Sequence, residues 1–248
     1  MTFFTAFSTW FADFADSFYL NFIKDDRYMQ MVTGLGNTIL ISLLSILLGI
    51  TFGAIAFLMR NSFFLDNSRN KLIRGIGKLF KGIGYIYVDV IRATPMVTQL
   101  LIIYFIIFAS VDIDPVFVAV LAFGFNSGAY VSEIFRAGIQ SIDAGQMEAG
   151  RSLGLSRTQT MIYIIVPQAI KNVLPTLANE FIVLIKETAI VGYISVQDLT
   201  RGADIIRSLT FEPFLPLVAA AVVYYVIIKF LTLAVAAFER KLRASDKR

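Results

Sequence analysis

The sequence predicts an all-α polytopic membrane protein with about five transmembrane helices, on three observations. Of 248 residues, 57% are hydrophobic and 16% charged, against about 45–50% and about 25% in soluble domains; mean hydropathy is +0.72. Apolar runs recur along the chain at close to the about 20 residues that cross the hydrocarbon core. The basic residues cluster at 60–81 and 239–248, beside apolar runs, as cytosolic flanks do.

The elements follow in order. Residues 1–31 carry Phe3, Phe4, Phe7, Trp10, Phe11, Phe14 and Phe18 at helical spacing, interrupted by Asp13, Asp16, Asp25 and Asp26. With no basic n-region this is not a signal peptide. It reads as an amphipathic extracytoplasmic helix, either in the interface plane or packed on the protein.

The first span, 35–59, has no charge and carries Gly49 and Gly53 in a small-xxx-small pair. Arg60, Arg69, Lys71, Arg74, Lys78 and Lys81 follow, and four glycines make 71–92 a poor continuous helix, partly interfacial. The second span, 94–111, is entered through Arg92-Ala93-Thr94-Pro95 and leaves at an acidic turn, Asp112 and Asp114. The third, 116–137, contains Asn126, Ser127, Tyr130, Ser132 and Glu133; the fourth, 173–191, contains Asn179, Glu180, Lys186 and Glu187; the fifth is 214–238. An odd number of spans separates the termini. With the basic segments inside, the N-terminus lies outside, the C-terminus is cytosolic, and 240–248 is a basic cytosolic tail.

Composition also excludes function classes. There is no cysteine and no histidine, so disulfides and thiolate sites are ruled out and neither metal site nor catalytic site is expected. The net charge of +4 is accounted for by the membrane flanks, without nucleic acid.

The loop between the third and fourth spans is ordered. It runs Glu148-Ala149-Gly150, three residues, Gly154, nine residues, Ile164, one residue, Val166-Pro167. A short helix is expected from Ala144, with Glu148 and Arg151 one turn apart and Gly154 ending it at positive φ. This spacing resembles the EAA motif of ABC-importer permeases, which reads Glu-Ala-Ala, three residues, Gly, nine residues, Ile, one residue, Leu-Pro; Gly150 and Val166 depart from it. Arg92-Ala93-Thr94-Pro95, Ala129–Ile139 and the segments 179–182 and 184–188 resemble patterns of the polar-amino-acid branch.

The resemblance implies a permease domain over 32–239 in a bacterial plasma (inner) membrane. Glu148, Ala149, Gly150, Arg151, Gly154 and Pro167 would form a cytosolic coupling helix and its flanks against an ATPase. It further implies an ATPase dimer as partner, a second permease subunit (a copy or a related chain), an extracytoplasmic amino-acid-binding protein, and import of polar or charged amino acids. The chain carries no phosphate-binding glycine loop with Lys-Ser/Thr, so it is expected to hold no cofactor, and ATP and magnesium belong to the partner. An ion-gradient-driven secondary amino acid transporter is the alternative, although no inverted repeat is visible.

Ionisable residues within spans mark pathways. Asn126, Tyr130 and Glu133 share one helical face, and Asn179, Glu180 and Glu187 another; with Thr94 and Gln99 they are the candidate substrate pathway. Interhelical hydrogen bonding is the competing use of the same groups, and Glu133 has Arg136 one turn away as a partner. The charged segment 192–212, with Gln197, Asp198, Arg201, Asp204 and Arg207, is expected outside, either contacting the binding protein or simply solvated.

Overall fold

The computed structural model describes residues 3–61 and 70–244, with side chains from residue 9 to residue 242 of these. Arg69, the tail 245–248 and the side chains of Phe3, Phe4, Phe7 and Arg243 lie outside what is described. All regular structure among the described residues is helical: α1 (Phe3–Phe18), α2 (Tyr28–Arg60), α3 (Lys71–Ala93), α4 (Met96–Ile102), α5 (Pro115–Gln140), α6 (Ala144–Ser152), α7 (Arg157–Thr160), α8 (Val166–Glu187), α9 (Leu199–Thr210) and α10 (Phe214–Ala244).

Among the described residues, three helices are long and apolar enough to cross a membrane as single pieces: α2, α5 and α10. The expected second span is instead one arm of a bent pair. α3 and the segment Met96–Ile107 meet at 112°, and the second arm, at 1.5 Å per residue, is about 18 Å long. The break has a local cause. Pro95 drives the preceding Thr94 into the extended region (φ −116°, ψ 145°), so Thr94 lies outside the helix that it was expected to begin. α3, by contrast, is one continuous helix despite its glycines. Gly84 sits against Arg60 Cγ and Met59 Cβ, and this packing outweighs the roughly 1 kcal/mol that each glycine costs a helix. The expected fourth span falls on α8 and the tight turns of Thr188–Ile194; it is amphipathic rather than uniformly apolar.

α2 and α5 form the central pair. A Cβ on Gly49 would come within 2.9 Å of Ser127, and one on Gly53 within 2.6 Å of Val131, so the small-xxx-small pair does set a close approach. Ile41, Ile46, Leu100, Phe123, Leu184 and Val191 form the core around it.

The bundle has two distinguishable ends. Arg60, at the end of α2, pairs with Glu133, near the end of α5, so both helices finish at the end that carries α6 and α7, the loop end. The starts of α2 and α5 define the opposite, cap end. There the turn Tyr19–Ile23, which follows α1, meets the end of α9: Thr210 Oγ1 donates to Asn21 Oδ1 at 2.8 Å, and Asn21 Nδ2 donates to Glu212. Between α1 and α2 the chain turns through Asp25 and Asp26, both at positive φ.

α9 was not legible as a helix in the sequence reading. Asp198 caps it, accepting from Thr200 N (2.9 Å) and Arg201 N (3.1 Å), and Leu199, Ala203 and Ile206 are buried against α2 and α10. Asp198 is itself fully buried and receives Tyr224 OH at 3.2 Å, while Gln197 Nε2 donates to Gln30 O at 2.9 Å. Asp198 therefore faces inward rather than into solvent, and Gln197 is half-buried and tied to α2. Arg201, Asp204 and Arg207 pair along the outside of α9.

Candidate functional site

The loop forms a rigid bracket. Asp143 caps α6, its Oδ1 accepting from Gly145 N at 2.7 Å. Gly154 ends the helix at φ +85°, with its N–H on Arg151 O at 3.0 Å and Leu155 N on Gly150 O at 3.1 Å. Ser156 and Gln159 then form a reciprocal capping box that starts α7. Gly150, the departure from Glu-Ala-Ala, has a steric reason. A Cβ there would overlap the side chain of Thr160, which is fully buried and bonded to Ser156 O at 3.0 Å. The α6 and α7 helices thus interlock at a glycine–threonine contact.

The bracket presents Glu148, Ala149 and Arg151 to solvent, and Leu153 is 81% exposed. Pro167 follows the π-helical turn Met161–Ile165, which joins α7 to α8 without a break. Two contacts tie the bracket to α8: Gln168 Nε2 donates to Gln146 Oε1 at 3.3 Å, and Asn172 Nδ2 to Ser141 Oγ at 2.8 Å.

A cavity of about 640 Å³ lies between α5 and α8 and reaches the loop end at Ser141 and Asn172. Tyr130, Glu133, Asn179 and Glu180, all expected in the pathway, line it together with Arg92, Arg136 and Thr176. On α8 the lining residues recur three and four apart, so a single helical face forms that wall. Asn172 belongs both to the wall and to the bracket's attachment.

The remaining pathway candidates are placed elsewhere. Thr94, Gln99 and Asn126 form a network of their own: Asn126 Nδ2 donates to Gln99 Oε1 (2.9 Å), and Gln99 Nε2 to Ile91 O (2.8 Å) and Thr94 Oγ1 (2.7 Å). This joins α5 to the broken α3–α4 corner, and none of the three lines the cavity. Glu187 is also not among its lining residues. Ser127 Oγ donates to Glu180 Oε1 at 2.8 Å and bridges α5 to α8.

Glu133 is the centre of a charge cluster. Its carboxylate binds Arg60 and takes two bonds from Arg136 (Nε 2.9 Å, Nη2 2.7 Å), with Arg92 at 3.9 Å. Arg92 also lies over the Tyr130 ring, 5.6 Å from its centroid. One carboxylate facing three guanidinium groups leaves this rim of the cavity net positive. Arg60 lies 73 residues from Glu133 in sequence, and its local pattern marks it only as part of a basic flank.

Comparison with known proteins matches this architecture. Residues 72–244 fit the model of the binding-protein-dependent transport system inner membrane component family. The arginine transport system permease protein ArtQ of Bacillus subtilis is 38% identical over 218 residues, covering 87% of this chain and 94% of that protein. The glutamine transport system permease protein GlnP of Escherichia coli is 37% identical, covering 69% and 82%. A crystal structure of an amino acid ABC transporter superposes with a TM-score of 0.76 at 41% identity, covering 86% of this chain and 94% of that one. The MetNI methionine ABC transporter shares the fold, with a TM-score of 0.70 at 15% identity, over 88% and 99%. The chain therefore belongs to the binding-protein-dependent transport system inner membrane component family, among its amino acid ABC transport permeases.

Proposed function

We propose that this chain imports polar or charged amino acids across a bacterial inner membrane, as one of two permease subunits driven by a separate ATPase dimer and fed by an extracytoplasmic binding protein. The cap end then faces outward and the loop end the cytosol, so that 1–31 is extracytoplasmic, 32–239 is the permease domain and 240–248 is a cytosolic tail. The observation that carries this reading is the α6 bracket. It is exposed on the side where an ATPase would dock, and it is hydrogen-bonded to the helix that lines the cavity.

A push on Glu148, Arg151 and Leu153 would be transmitted through Gln146–Gln168 and Ser141–Asn172 to the wall carrying Asn179 and Glu180. A rigid lever of this kind needs no nucleotide site of its own, so ATP and magnesium belong to the ATPase. The relatives' names supply arginine, glutamine and L-cystine as the range of cargo. Within the cavity, Glu180 and Asn179 suit an ammonium group, and the arginine-rich rim suits a carboxylate.

Reconstitution with the cognate ATPase tests the proposal: uptake of a radiolabelled amino acid should require ATP inside the vesicle. Uptake driven by a proton or sodium gradient and indifferent to ATP would overturn it. Gly154→Arg forces a side-chain-bearing residue into φ +85°, at about 1 kcal/mol or more, and alters the turn after the docking helix. That variant should insert normally yet lose co-purification with the ATPase; normal assembly and transport would refute the bracket's role.

A further inference from the structure

We propose that the N-terminal half of α3 is an anionic-lipid-binding helix, lying on the loop-end leaflet with its apolar stripe in the acyl chains and Lys71, Arg74 and Lys78 on phospholipid headgroups. The inference concerns a surface that the transport reading does not use.

Three observations converge on it. First, the two faces of α3 are segregated. Leu72, Ile76, Leu79, Ile83 and Ile86 recur at four- and three-residue steps along one side, and Leu72 and Ile86 are 71% and 66% exposed. Lys71, Arg74 and Lys78 share the other side. A helix of this pattern is stable only with one face in apolar material and the other in a polar layer. Second, apart from the buried Gly77, residues 71–80 are all exposed among the described residues. A Cβ on Gly75 or on Gly82 would find nothing within 4 Å, whereas one on Gly84 meets α2.

Third, the depth is fixed. α3 crosses α2 at its last turn, where Gly84 meets Met59 and Arg60, and ends in the ring of charges formed by Arg60, Arg92, Glu133 and Arg136. It then turns 112° into α4. A helix lying across the spans at the level of a charged ring sits where hydrocarbon gives way to headgroups.

Charge complementarity selects the occupant. Lys71, Arg74 and Lys78 are exposed and enter none of the ion pairs among the described residues. The first turn of α3 has no acidic residue, so the positive end of the helix dipole adds to their field instead of being offset. An anionic surface attracts each such residue by about fivefold in binding. A neutral lipid offers no such term.

The full chain has no cysteine, so a single spin label can be introduced at Ile76→Cys without background. The protein is placed in nanodiscs of phosphatidylcholine, with or without phosphatidylglycerol. Oxygen should reach the Ile76 label better than an aqueous nickel chelate does. Spin-labelled phosphatidylglycerol should associate with the protein at least about tenfold better than the phosphatidylcholine probe. That preference should collapse in Lys71→Gln/Arg74→Gln/Lys78→Gln and, independently of any variant's folding, at high salt in the unmodified chain.

Three results would each overturn the proposal: a label reached mainly from water; a label immobilised and shielded only when an ATPase or a second copy is present; or an anionic preference that survives both the triple substitution and salt.

Discussion

The cap end and the loop end of the bundle are held by different kinds of contact. At the cap, backbone meets backbone: Gly34 lies against Asp198 O, and Gly202 against Gln30 O, so closely that any Cβ would overlap them. Around these approaches, Asp198, Gln197, Thr38 and Asn21 are engaged in hydrogen bonds. At the loop end, side chains meet side chains: the cavity rim is held by Arg60, Arg92 and Arg136 around Glu133, and two of these arginines are about half exposed. Ion pairs between long side chains can re-form after a shift of an ångström or two, whereas interlocked backbones cannot. The contacts of the loop end are therefore the more readily rearranged of the two.

Substitutions can break this contrast, and the largest effect is expected at the cap. Gly34→Val drives two methyl groups into the Asp198 carbonyl, which cannot yield as a side chain would. A loss of about 3 kcal/mol or more is expected, visible as a lower melting temperature in detergent and as faster proteolysis near α9. An unchanged melt would mean that α9 is not docked as described.

Next in size is Glu133→Gln. It leaves Arg60, with only 11% of its side chain exposed, facing two other cations without a counter-charge. Removing one partner of a fully buried pair costs about 3–5 kcal/mol, and the half-exposed Arg92 and Arg136 reduce the expectation to about 2 kcal/mol. The melting temperature should fall, and Arg60→Leu/Glu133→Leu should recover part of the loss. No recovery would mean that the cluster is not held by charge.

Gly150→Ala should cost about 1–2 kcal/mol by overpacking against Thr160, and Gly150→Ala/Thr160→Ala should restore most of it. Thermal unfolding of the pair measures the coupling; strictly additive losses would deny the contact. The smallest effect belongs to Asp204→Asn on the outer face of α9. Its pairs with Arg201 (3.8 Å) and Arg207 (2.9 Å) are solvent-exposed, so the melting temperature should move by no more than about 0.5 kcal/mol corresponds to.

The uniform spans were legible because hydropathy alone defines them: α2, α5 and α10 stand where apolar runs predict. The bracket was legible because its determinants are local, with Asp143, Gly150 and Gly154 all within a dozen residues. α9 was missed because its burial is set from a distance. Leu199, Ala203 and Ile206 make a helical stripe in a polar segment, and only the docking against α2 and α10 turns that stripe into core. The cavity was half legible for the same reason. Face periodicity grouped Tyr130 with Glu133 and Asn179 with Glu180, and all four line the cavity, but it also placed Asn126 with the first pair and Glu187 with the second. Asn126 instead turns to Gln99, 27 residues away, a partner that no periodicity within α5 could indicate. The boundary at Thr94–Pro95 was legible from the proline rule, and the second span was read as entered there; the continuous helix before it and the 112° bend were not, because the glycines of 71–92 suggested a broken segment.

The interlock of Gly150 with Thr160 bears on how such loops can be exchanged. Because each residue fixes the space left for the other, 143–168 behaves as one cassette, capped at its start by Asp143 and stitched to the span at Gln168. A chimera that transplants the whole cassette into a related permease should carry its choice of ATPase with it, while one that cuts between 150 and 160 should be unable to close the bracket at all.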